Sequence, residues 1–149
     1  MNSSLKVVPS RLDEATLGAA NANVMTPDLD SSGAHALVIE DDPLMADLLR
    51  HYLIELGYRS VDVAHGALTA ITSVCKRQPD LVVADILLQD GTNGLEVARR
   101  IHHRSSVPLV FVSSLPELAK HEINASVLDK KTLSPASLSV AIEDARTYC

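Results

Sequence analysis

Residues 81–101 read LVVADILLQDGTNGLEVARRI, and this stretch decides the fold. Leu81-Val-Val-Ala84 is a short, continuous aliphatic run, the pattern of a strand buried on both faces of a sheet. Asp85 ends the run. A polar, turn-rich segment follows, Gln89-Asp-Gly-Thr-Asn-Gly94. Leu95 to His102 then resumes at helical spacing, with Leu95, Ala98 and Ile101 on one side. A strand that passes through a carboxylate into a loop and then a helix is one step of a wound α/β sheet.

The same step repeats on either side. Ala36 to Ile39 is an aliphatic strand, and Asp42-Pro43 opens a helix, with Asp as N-cap and Pro in the first turn. Leu44, Leu48, Tyr52 and Leu56 recur every four residues, Leu49 and Leu53 widen the stripe, and Gly57 ends it. Tyr58 to Ala64 is a second strand. Ala67 to Lys76 is a second helix carrying Leu68, Ile71, Val74 and Cys75, broken by Gln78-Pro79. Pro108 to Val112 is a fourth strand, Pro116 to His121 a short fourth helical segment, and Ala125 to Leu128 a fifth strand. Ser134-Pro135 repeats the cap-then-proline signal and opens a last helix with Leu138, Ile142 and Ala145 on one face; the exposed Val140 is a candidate partner contact. Five strands alternating with helical segments predict an α/β fold with right-handed crossovers: a doubly wound, five-stranded parallel sheet with helices on both faces.

Composition bounds the rest. The chain has 149 residues, 46% hydrophobic but only 3% aromatic, so the core is built from Leu, Val, Ile and Ala. A net charge of -6 disfavours binding nucleic acid through a basic face. Cys75 and Cys149 are too few for a disulfide framework; Cys75 reads as a small core residue and Cys149 as an exposed thiol. No apolar run approaches a membrane span and the N-terminus lacks a secretory signal, so a cytoplasmic protein without membrane insertion is expected. Residues 1–33 are rich in Ser, Asn, Asp, Gly and Pro and read as a disordered tail, with a weak helix signal from Ser10 to Ala20. Residues 34–149 form the domain. The six histidines share no metal-ligand spacing and read as surface or boundary residues.

Ligands of open α/β sheets sit at the carboxyl ends of the strands. The first and third strands end in Glu40, Asp41, Asp42 and Asp85. Like charges brought together repel, and a divalent cation such as Mg²⁺ relieves that repulsion with oxygen ligands. Asp42, directly before Pro43, is assigned to capping. The fourth and fifth strands end near Ser113, Ser114 and Lys131, a hydroxyl and an ammonium suited to phosphoryl oxygens. Carboxylates and metal on one side, with hydroxyl and cation on the other, would surround a phosphate on a central carboxylate.

The segments VIEDDPLM, LVVADILLQDGTNGLEVARRI, VPLVFVSS and LDKKTLSPASL resemble, in register from residue 36 to about 146, the receiver domain of two-component response regulators. The resemblance implies a flavodoxin-like sheet of order 2-1-3-4-5 with a shortened fourth helix. It implies Asp85 as phosphoacceptor, accepting a phosphoryl group from a phosphohistidine on a sensor histidine kinase or histidine phosphotransfer protein. It implies Mg²⁺ held by Glu40, Asp41, Asp85 and the backbone carbonyl of Leu87, with Gly94 opening the third helix. Ser113 and Lys131 would contact the phosphoryl oxygens; Lys130 competes with Lys131, which the spacing to Leu133 and Leu138 favours. Its output would pass to a downstream protein, through phosphorelay or binding, with a homodimer through the fourth helix, fifth strand and fifth helix as one form.

Three positions depart from the family pattern. Gln89 stands where Pro is usual, which is expected to loosen the loop after the phosphoacceptor. Thr132 follows Lys131 where a Pro, usually cis, is common. Leu128 stands where an aromatic switch residue is frequent. These departures motivate the alternative of a pseudo-receiver, a protein-binding module that works without phosphorylation. An aspartate-nucleophile phosphatase is disfavoured, because Glu40-Asp41-Asp42 lacks the D-x-D pair that such enzymes use, and no glycine-rich nucleotide loop occurs. With Tyr148-Cys149 closing the sequence, no DNA-binding or catalytic output domain is expected after the receiver.

Overall fold

The computed structural model of the chain describes residues 33–89, 91–122 and 124–149. The tail expected to be disordered and the helix signal at Ser10–Ala20 lie outside them, apart from Gly33. The elements are β1 (His35–Ile39), α1 (Pro43–Glu55), β2 (Ser60–Ala64), α2 (Ala67–Lys76), β3 (Leu81–Ala84), α3 (Gly94–Ser105), β4 (Leu109–Ser113), a 3-10 turn (Pro116–Ala119), β5 (Ser126–Asp129), a second 3-10 turn (Lys130–Thr132) and α4 (Pro135–Arg146). The strands form one parallel sheet in the order β2-β1-β3-β4-β5. The chain winds outward from β1 in one direction and from β3 in the other, so the crevice between them is the switch point.

Alternation along each strand divides the core in two. Leu37, Ile39, Val82, Ala84 and Phe111 point to the face covered by α2 and α3. Val38, Val83, Val110 and Leu128 point to the other face, under Leu49 and Leu53 of α1 and Leu138 and Ile142 of α4. The stripe expected on α1 is rotated: Ala46, Leu49 and Leu53 are buried, whereas Leu44 is 82% exposed and Leu48 lies at the boundary. The four-residue spacing was shared by two faces of that helix, and only packing against β1 chooses between them. Cys75 is likewise exposed rather than core. Among the described residues no helix is long and apolar enough to cross a membrane.

The fourth crossover is the shortened one. Where a helix would join β4 to β5, residues 116–119 make a single 3-10 turn whose Ala119, with Ala125, enters the core. Glu122 ties this connection to α3 through an ion pair with Arg99 at 3.1 Å. The amino edge of the sheet is closed differently. His35 is 2% exposed, a correction to its expected place at the surface or boundary. Its backbone N–H donates to Asp80 at 2.7 Å, its Nδ1 shares a 2.8 Å hydrogen bond with Ser60 Oγ, and its Nε2 lies 3.3 Å from Asp62. Ser73 donates to the same Asp62 and Arg77 to Ser60, so α2 is stitched to β1 and β2.

Two contacts generate predictions. The Tyr58 hydroxyl accepts from Arg146 Nη2 at 2.9 Å and joins the start of β2 to the end of α4. Burial raises the Tyr58 pKa above its ordinary 10.0, more than Arg146 lowers it. The folded state therefore holds this proton more tightly than the unfolded state, and stability falls as pH rises above about 10. Tyr58→Phe should cost about 1 kcal/mol at neutral pH and should flatten this alkaline decline, as read from urea midpoints across pH. At Gly94, a Cβ would sit 1.7 Å from the Asp85 carbonyl oxygen. Gly94→Ala should lower stability by about 1–3 kcal/mol through displacement of the Asp85 loop, checked by the same denaturation.

Candidate functional site

The sheet brings the sequence-predicted carboxylates together because backbone pairing continues one residue past the strands. Glu40 N–H donates to Ala64 carbonyl and Asp85 N–H to Ile39 carbonyl, each at 2.9 Å. Glu40 and Asp85 are thus held side by side at the ends of β1 and β3. One carboxylate oxygen from each of Glu40, Asp41 and Asp85 lies within 4.8 Å of the others. Asp42 is turned out of this cluster: its Oδ1 accepts from Leu44 N–H at 3.0 Å and caps α1, as its place before Pro43 requires. Its own N–H donates to Glu40 Oε2 at 3.1 Å and fixes that side chain.

Glu40 is 1% exposed, and Asp85 is also buried. Burial is the main reason the Glu40 pKa is raised, with the charge of Asp85 adding to it; the Asp42 N–H and Lys130 act in the opposite direction. Glu40 Oε1 is shielded from water with no donor aligned on it. It is compensated by charge alone, from Lys130 Nζ at 3.1 Å. The same ammonium lies 3.2 Å from Asp85 Oδ2. Burial pulls the Lys130 pKa down, yet Glu40 and Asp85 together leave it raised.

The lysine in the site is therefore Lys130, and the expectation of Lys131 is corrected. The physical reason is one residue of strand. β5 does not stop at Leu128 but continues to Asp129, which pairs with Ser113. Lys130 is then the first residue past the sheet. Asp129 Oδ1 accepts from Lys131 N–H at 2.9 Å and winds residues 130–132 into a 3-10 turn. Successive side chains of such a turn point about 120° apart, so Lys130 meets the carboxylates while Lys131 is exposed. Leu128 is buried in the core under α4.

Ser113 ends β4 with 2% exposure, and its Oγ accepts from Leu115 N–H at 3.0 Å. Leu87 lies in the loop after β3, bridged to Asn93, with its N–H 3.4 Å from Asp85 Oδ1. Two groups at the site had no signal in residue type. His65 Nδ1 bonds the Glu40 carbonyl at 3.1 Å across the β2–α2 connection. Gln89 donates its main-chain N–H to Asp41 Oδ2, so the loop expected to be loosened is tied to the acidic pair instead. The charges and donors together make a small anionic crevice with one half-buried cation, suited to a divalent metal and a phosphoryl group.

Comparison with known proteins agrees with this geometry. The response regulator receiver domain model matches residues 36–139. The phyllosphere-induced regulator PhyR of Methylorubrum extorquens is 32% identical over 112 residues, which are 73% of this chain and 42% of PhyR. The transcriptional regulatory protein BaeR of Escherichia coli is 29% identical over 125 residues, 81% of this chain and 51% of that protein. This chain thus spans about half or less of these relatives. The solution structure of the receiver domain of Erythrobacter litoralis PhyR superposes with a TM-score of 0.68 at 28% identity, covering 78% of this chain and 93% of that domain. With the sheet order, the acidic cluster and the family match in agreement, the chain belongs to the receiver domain family of response regulators.

Proposed function

We propose that Asp85 accepts a phosphoryl group from the phosphohistidine of a sensor histidine kinase or histidine phosphotransfer protein, and that the modified domain signals by binding another protein or by passing the group on. The observation that supports this most directly is the Lys130 ammonium bridging Glu40 and Asp85 in a buried crevice shared with Asp41. An Asp85 carboxylate oxygen attacks phosphorus and forms the new P–O bond. The P–N bond to the donor imidazole breaks, the nitrogen keeps the electron pair, and it takes up a proton. The product is an acyl phosphate on Asp85.

Mg²⁺ fits the residues present. Three carboxylates face one ammonium, and Glu40 Oε1 is buried without an aligned donor, a hard oxygen set with uncompensated negative charge. Glu40, Asp41, Asp85 and the Leu87 carbonyl would hold the ion, which supplies positive charge against the phosphoryl oxygens. Lys130 is placed to move from Asp85 Oδ2 to a phosphoryl oxygen while keeping Glu40 as its anchor. The Ser113 hydroxyl, engaged among the described residues only as an acceptor with Leu115 N–H, retains its own proton for donation to the phosphoryl group.

Incubation of the full chain with acetyl phosphate and Mg²⁺ should add one phosphoryl group by intact mass, and Asp85→Asn or chelation of the metal should abolish the addition. Persistence of the same modification in Asp85→Asn would overturn the assignment. The two lysines separate cleanly. Lys130→Ala should slow phosphorylation by about 10- to 100-fold, the worth of a charge-assisted contact, whereas Lys131→Ala should leave the rate unchanged.

A further inference from the structure

We infer that the trough between α2 and α3 is a docking surface for an acidic, amphipathic helical segment of a partner protein. Two adjoining depressions, of about 470 Å³ and about 200 Å³, share Ile71, Arg100 and Arg104 in their walls and so form one trough along the two helices. Its α3 wall runs from Glu96 to Ser105. At 1.5 Å per residue that wall is about 14 Å long, the length of two to three turns of a second helix. The floor is apolar. Ile71 and Val74 are only partly buried against the core. Leu68, one turn before Ile71 on the same side of α2, is 80% exposed.

The rim carries charge of one sign. From Ala67 to Gln78 and from Gly94 to Ser105 the chain has five Lys or Arg residues and one carboxylate, Glu96, although its net charge is -6. Glu96 is shared between Arg99 at 3.5 Å and Arg100 at 3.3 Å, and Arg99 takes a second carboxylate from Glu122. Among the described residues Arg104 has no ion-pair partner, and both Arg100 and Arg104 are exposed. Cations beside exposed apolar side chains select an occupant that supplies carboxylates and apolar groups at helical spacing. A nucleic acid would meet the arginines but leave Leu68, Ile71 and Val74 without apolar partners, and the acidity of the rest of the chain opposes it. The trough is separate from the Asp85 crevice, with which it shares no lining residue.

The probe is a synthetic helical peptide of about 14 residues with leucines at i, i+3, i+4 and i+7 and glutamates on both flanks. Titrated into the full chain and followed by amide NMR, it should shift the resonances of α2 and α3 saturably. The same peptide with Lys in place of Glu should not. Arg100→Glu combined with Arg104→Glu should weaken the acidic peptide about 10-fold or more and reverse the preference towards the lysine peptide. Absence of saturable shifts with the acidic peptide, or equal shifts with the lysine peptide, would overturn the inference. So would tighter binding of a single-stranded oligonucleotide at the same amides. Shifts of these amides with protein concentration alone would put a second copy in the trough. Shifts on Asp28→Lys with Asp30→Lys, without added peptide, would put the chain's own acidic segment there. Either result rejects the partner helix. The titration of the unsubstituted chain decides the outcome even if the double variant fails to fold.

Discussion

The constraint on which the structure turns is the confinement of Glu40, Asp41 and Asp85 within one crevice. Left alone, such a cluster would open the ends of β1 and β3 or force its members to protonate. It is held by three kinds of restraint. Backbone pairing carries Glu40 and Asp85 past the last strand residues, main-chain donors fix the carboxylates one by one, and the Lys130 ammonium sits between two of them. Removing only the cation would leave buried charge uncompensated, which costs far more than the ion pair itself contributes. The aliphatic sheet therefore serves as a rigid frame for charges that would not otherwise share a site.

Much of this was legible in sequence because it depends on residue type at strand ends. Leu81–Ala84 followed by Asp85 marked both the strand and its terminal carboxylate. Asp42-Pro43 and Ser134-Pro135 marked helix starts, and in both cases the capping side chain performs the expected bond. The gap between Ser113 and the lysines marked the shortened fourth helix. These are local signals, each carried by a few neighbouring residues.

The rest depended on geometry that local pattern does not carry. Lys130 and Lys131 are chemically identical, and only the extension of β5 to Asp129 decides which one turns inward. Leu44 and Leu49 are equally apolar, and only the docking of α1 on β1 decides which is buried. His35 follows a small residue at the start of β1 and carries no surface mark, yet it is enclosed by Ser60 and Asp62 of β2 and by Asp80 before β3. Gln89 meets Asp41 through its main-chain N–H, and its departure from proline marked only that a donor was available, not where it points.

The His35 cluster gives the sheet two unlike ends. At the amino edge, hydrogen bonds from β1, β2, α2 and the β3 approach enclose a buried ring, whose Nε2 lies 3.3 Å from Asp62. At the carboxyl edge, three carboxylates face a single ammonium and a few main-chain donors. Mechanically the sheet resembles a beam clamped at one end. Local opening follows the region with the fewest fixed contacts, so the phosphorylation proposed for Asp85 would displace the connections after β3, β4 and β5 rather than distort the strands.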